Sequence, residues 1–178
     1  VRPQDTMKVS GTFVNLKSIL AQFEDRMGPY PWERVGYVST ALGAMEHATN
    51  IAVPHFTISG NTSYESLMAH ELTHMWLGDK VTCSCAEEMW LNEGWATYAE
   101  ALWFEQRDGY QPGYLKDLFP AMRDLPNRDY LAPGTTHLRP AMVSNVYEHP
   151  WEVFRRLSNP YPKGAAVLHM LRVKLGDD

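Results

Sequence analysis

Apolar residues recur along this chain with two periods, and the periods divide it into elements. Between residues 12 and 28, Leu16, Ile19, Leu20, Phe23 and Met27 recur at helical spacing. They predict a first helix, with Gly28 as its stop. Pro29 and Pro31 flank Tyr30 and mark a turn. Val35 to Ala41 (VGYVSTA) reads as a strand. Asn50 to Ile58 (NIAVPHFTI) reads as another, which Pro54 confines to an edge or a bulge. Tyr64 to Leu77 reads as a helix, with Ser63 or Thr62 as its cap and Gly78 at its end. After a short link at Val81–Cys85, an amphipathic, aromatic-rich helix is expected from Trp90 to Arg107, ending near Gly109. From Gln111 to Asn159 prolines break the pattern into short helices and loops. A last helix is expected from about Pro162 to Leu175, with Ala165, Leu168, Leu171 and Leu175 on one face. The order is helix, strands, then helices. It predicts an α+β half-domain in which a small sheet precedes a mainly helical block.

Composition narrows the class. The 178 residues suffice for one compact domain or a large piece of one. Hydrophobic residues make up 44% and charged residues 21%, an ordinary globular balance. The net charge is −5, and no run of Lys or Arg suggests a nucleic-acid or anionic-lipid partner. No apolar run has the length of a membrane span, and no signal peptide is visible. The chain begins Val1-Arg2-Pro3, so it is open to being processed or excised from something larger. Cys83 and Cys85 stand one residue apart, which suits no ordinary disulfide framework or metal knuckle. They read as two small, semi-buried thiols, and the compartment stays undecided.

The chemistry begins at His70-Glu71-Leu72-Thr73-His74. Residues i and i+4 of a helix share a face, so both imidazoles can reach one metal ion. Glu71 then stands beside the open coordination position as a general base for a water. Glu93 follows inside WLNEG after an 18-residue gap and supplies a third ligand from a second helix. Three protein ligands leave a fourth position free, the mark of a catalytic zinc site. Glu87, Glu88 and Glu100 are nearby carboxylates, but the apolar setting of Glu93 between Leu91 and Trp95 favours it. Glu100 lies two turns further along the same face. It reads either as an acceptor that orients a ligand histidine or as a surface carboxylate.

HELTHMW followed by WLNEG resembles the gluzincin aminopeptidases, the aminopeptidase N family that also contains the leukotriene hydrolases. Gly43-Ala44-Met45-Glu46-His47, 24 residues before His70, resembles that family's Gly-x-Met-Glu-Asn exopeptidase motif. Tyr30-Pro31-Trp32-Glu33 leading into Val35–Val38 looks like the strand region upstream of it. Tyr161-Pro162-Lys163-Gly164-Ala165 is similar to the family's Tyr-x-Lys-Gly-Ala segment. The resemblance spans about residue 29 to the C-terminus.

The resemblance implies a thermolysin-like zincin catalytic domain with Zn2+ on His70, His74 and Glu93. It implies an aminopeptidase that acts on peptides with a free N-terminus. By its pattern Glu46 binds the substrate α-ammonium, the Gly43, Ala44 and Met45 stretch lies along the substrate, and Tyr161 donates to the oxyanion. His47 departs from the family Asn, which bears on the shape and pH response of the first substrate pocket. The family also carries an N-terminal β domain and a C-terminal helical domain. Residues 1–178 are therefore expected to be one partial domain without them, its exposed faces covered by the missing domains or by another copy. Two rival readings remain: epoxide hydrolysis on the same zinc, and a non-catalytic zinc-binding domain. Glu71 and Tyr161 argue against the second, since a degenerate site could lose both and still hold metal.

Overall fold

The computed structural model describes residues 1–116, 118, 142–143, 149–150, 152–155 and 160–177. The backbone divides into two compact units, Val1–Thr82 and Cys83–Asp178.

The first unit opens with a 3-10 turn (Pro3–Lys8), a helical turn α1 (Val9–Thr12) and then helix α2 (Leu16–Met27). The helix expected over 12–28 therefore starts at Leu16, after a break at Phe13–Asn15. Its apolar face is the one the spacing predicts, with Ile19 and Phe23 buried. Gly28 stops it at φ +89, its N–H donating to the Glu24 carbonyl at 2.9 Å.

Strand β1 (Tyr37–Thr40) pairs in parallel with β2 (Ile51–Pro54), Tyr37 opposite Ile51 and Thr40 opposite Pro54. Both strands are shorter than the sequence suggests. After Pro54 the chain turns into a 3-10 segment, His55–Thr57, because proline offers no N–H to continue a ladder. Ala52 exchanges both of its backbone hydrogen bonds with Met45, at 3.0 and 2.9 Å, in an isolated antiparallel bridge. That bridge fixes the segment between the strands. The same segment returns through Thr49, which holds a left-handed φ of 66°. Gly36 is required beside it: a Cβ there would lie 2.5 Å from the Thr49 carbonyl oxygen.

Helix α3 (Glu65–Thr73) follows a 3-10 turn, Thr62–Tyr64. The side chain that caps this turn is Asn61, which accepts from the Ser63 N–H at 2.9 Å, and not Ser63 or Thr62. The helix also ends before the predicted Leu77. Beyond Thr73 the bonds tighten to three-residue spacing, Met75 N–H to Leu72 and Trp76 N–H to Thr73. The freed Met75 carbonyl is taken by the Trp32 indole at 3.2 Å, and the Trp76 indole reaches the Gly28 carbonyl at 2.9 Å. These long-range bonds hold the segment just past the helix end, and no local signal announces them. Ile19, Phe23, Ile51, Val53, Met68, Leu72 and Trp76 are buried in this unit. The ring of Phe23 meets Trp76 edge-on at 6.3 Å.

The second unit is built on α4 (Met89–Asp108), ended by Gly109 at φ +95. A π-helical turn, Tyr110–Leu115, follows, so the expected irregular stretch begins helically. Most of the stretch read as irregular, 111–159, lies outside the described residues. The short α5 (Glu152–Arg155) and the long α6 (Pro160–Leu175) complete the unit. The core joins Tyr98, Ala101, Tyr114, Leu118, Ala165 and Leu168. Arg172 on α6 grips Glu105 on α4 through two bonds of 2.7 and 2.9 Å, its guanidinium 4.8 Å from the centre of the Tyr114 ring. Among the described residues no helix is long and apolar enough to cross a membrane.

Candidate active site

His70 and Glu71 lie in the last turn of α3, and His74 is its C-cap residue. All three are buried, at 7%, 5% and 1% exposure. The four-residue spacing stacks the two imidazoles on one face, ring centres 4.9 Å apart and planes at 76°. The Nδ1 of His74 lies 3.1 Å from the Leu77 carbonyl. A carbonyl only accepts, so Nδ1 carries the hydrogen and Nε2 keeps the lone pair that a metal would need. Gly78 makes this possible. A Cβ there would lie 3.0 Å from the His74 Nδ1, and its φ of +150 disfavours a side chain in any case.

Glu46 comes to the same place from a different part of the chain. It directly follows Met45, whose bridge to Ala52 anchors the segment to β2. One carboxylate oxygen each of Glu46 and Glu71 and one ring nitrogen of His74 lie within 4.8 Å of one another. Sequence spacing alone does not bring Glu46 here; the bridge does. Gly43 and Ala44 precede it, and a Cβ on Gly43 would meet nothing within 4 Å. The glycine therefore leaves an open approach along the backbone.

Two residues of this neighbourhood carry no sequence signal. Tyr37 on β1 donates its hydroxyl to the Met68 carbonyl of α3 at 3.0 Å. Desolvation, and then the negative charge of Glu71, holds its phenol above the usual range. Asp79 follows the Gly78 turn, its N–H bonded to the His74 carbonyl at 2.9 Å. Its Oδ2 is buried and finds no hydrogen-bond donor among the described residues. Burial, and then the charge of Glu46, pushes the carboxyl up to about 6, against the opposing pull of His74 and His47. Glu46, Glu71 and Asp79 thus gather around His74. This donor set of imidazole and carboxylate suits a cation such as zinc.

The remaining predicted residues belong to the second unit. Glu93 lies in the first turns of α4, buried at 6% exposure beside the buried Asn92. Tyr161 is in the first turn of α6, half-buried, its ring 6.2 Å from that of Phe154. Glu100 is half-buried on α4.

Comparison with known proteins gives a consistent result. The peptidase family M1 domain matches residues 13–178. Leukotriene A-4 hydrolase of Xenopus laevis is 32% identical over 172 residues, covering 92% of this chain and 27% of that protein. Human aminopeptidase N is 32% identical over 166 residues, covering 84% of this chain and 16% of that protein. Among solved structures, an M1 zinc metallopeptidase from Deinococcus radiodurans, a mutant bound to a Tyr-Ser-Ala substrate, is 30% identical with a TM-score of 0.67. The match covers 91% of this chain and 33% of that one. Native leukotriene A4 hydrolase from Saccharomyces cerevisiae superposes with a TM-score of 0.83 at 25% identity, covering 98% of this chain and 28% of that one. The chain thus spans a third or less of each of these proteins. With the domain match running from Phe13 to the last residue, this chain belongs to peptidase family M1.

Proposed function

We propose that this chain is the thermolysin-like catalytic core of a zinc aminopeptidase, which releases the first residue of a peptide with a free N-terminus. His70, His74 and Glu93 would hold the ion. Zinc, when bound, supplies a Lewis acid that polarises the scissile carbonyl and acidifies a water. Glu71 takes the proton of the attacking water and passes it to the leaving amine. Tyr161 donates a hydrogen bond to the developing oxyanion, a contact worth on the order of 3 kcal/mol of barrier. Glu46 pairs with the α-ammonium, while the backbone of Gly43 and Ala44 runs along the substrate with Met45 beside it.

The observation that carries this reading is the grouping of Glu46, Glu71 and His74 within 4.8 Å. In any peptide the first carbonyl carbon lies about 2.5 Å from the terminal nitrogen, and each later residue adds about 3.5 Å. An ammonium held at Glu46 therefore favours the first peptide bond over later ones for attack beside Glu71. An internal peptide bond has no cation to pair with Glu46. The wide coverage by M1 peptidases supports the same chemistry.

The direct test is Glu71→Gln in the full-length protein. It should keep bound zinc and lose turnover of aminoacyl anilides by about a thousandfold or more, the order expected when a general acid–base contribution is removed. Near-wild-type turnover in the zinc-loaded variant would sink the assignment of Glu71.

A further inference from the structure

Helices α4 and α6 cross backbone to backbone at Gly94 and Gly164. A Cβ on Gly94 would lie 2.7 Å from the Gly164 Cα, and one on Gly164 would lie 2.7 Å from the Gly94 Cα and 3.0 Å from the Trp90 carbonyl oxygen. Neither glycine has a positive φ. Space, and not backbone conformation, is what requires them. Every one of these close atoms is main chain, so no side chain can swing aside. Carbon atoms pack at about 3.5–4.0 Å, so a methyl at either position would part the helices by about 1 Å.

Two residues ride on this crossing. Glu93 directly precedes Gly94 on α4, and Tyr161 stands one turn before Gly164 on α6. Ala165, next along α6, is fully buried, so the close approach is packed as well as permitted. We propose that Gly94 and Gly164 are positioning residues: their contact sets the height of the Tyr161 hydroxyl relative to Glu93. The inference rests on the reading of Glu93 as a metal ligand and Tyr161 as the oxyanion donor. A displacement of about 1 Å away from the reacting atoms can cost about a hundredfold in rate.

The test is a double-mutant cycle in the full-length protein. Gly164→Ala and Gly94→Ala are each made alone and in a Tyr161→Phe background. Zinc per chain, zinc affinity by chelator competition, kcat and KM are measured for each. In the wild-type background kcat should fall by about ten- to a hundredfold, with zinc stoichiometry and KM retained. In the Tyr161→Phe background the same substitutions should cost less than about twofold, because the group they misplace is already gone. A full loss in both backgrounds, or wild-type kcat in the glycine variants, overturns the positioning role. If neither alanine variant folds and binds zinc, the crossing serves folding alone and the role is likewise overturned. Should Tyr161→Phe keep wild-type kcat, the oxyanion role itself fails and this inference with it. An impaired Tyr161→Phe beside unimpaired glycine variants removes only the inference.

Discussion

The bond from the His74 Nδ1 to the Leu77 carbonyl gives tautomer control to a main-chain atom that no substitution removes. What substitution can do is crowd it. Gly78→Ala would set a methyl 3.0 Å from that nitrogen and force a strained φ. We predict a zinc affinity lower by about ten- to a hundredfold, the range for disturbed outer partners of metal ligands. Chelator competition reads it, and an unchanged affinity would show that the ring is held by something else. Asp79 gives a second test. Its carboxyl titrates at about 6 in the folded chain against an ordinary 3.8. Between those values the folded chain keeps a proton that the unfolded chain has released. Stability of the metal-free chain should therefore fall as pH rises through that window and level off above it. Asp79→Asn should flatten the slope, and urea midpoints at both ends of the window measure it. The anchor has its own signature. Glu46→Ala should harm substrates with a free N-terminus far more than N-blocked ones, and equal loss on both would refute the ammonium role.

Helices α2 and α4 were legible in the sequence because a buried face repeats every three to four residues and a glycine ends each. Ile19 and Phe23 fall in the core as their spacing predicts. Replacing Phe23 with Ala removes a ring packed edge-on against Trp76, and should cost about 3–5 kcal/mol. Denaturant unfolding followed by fluorescence checks it; a loss under about 1 kcal/mol would mean that the core closes over the gap. The end of α3 was not legible. Past Thr73 the helical ladder gives way to three-residue turn bonds, and the Met75 carbonyl is claimed by the Trp32 indole across more than forty residues of chain. The same holds for Glu46. The pair His70 and His74 is written in a local period, whereas Glu46 arrives through the Met45–Ala52 bridge, whose pairing no periodic pattern marks. Only the resemblance of Gly43–His47 to a known motif marked it, and Asp79 had no mark at all.

The proposed ligands stand at positions 70, 74 and 93 of the chain, so an unfolded chain presents no ready-made set. Zinc should then bind the folded state alone and stabilise it by about 2.7 kcal/mol when free zinc is a hundred times its dissociation constant. Stripping the ion with a chelator should lower the melting temperature, and restoring zinc should return it. An unchanged melting temperature on removal of bound metal would argue against these ligands. Resistance to opening is not even across the molecule. Leu72 lies in a buried helix, but the Met45–Ala52 bridge is two hydrogen bonds with a partly exposed residue on one side. In deuterated water the Met45 and Ala52 amides should therefore exchange together, and much sooner than that of Leu72. On the proposed reading, a peptide whose terminal amine rests on Glu46 should slow those two amides, and solvent isotope uptake by the Glu71→Gln variant would gauge its occupancy.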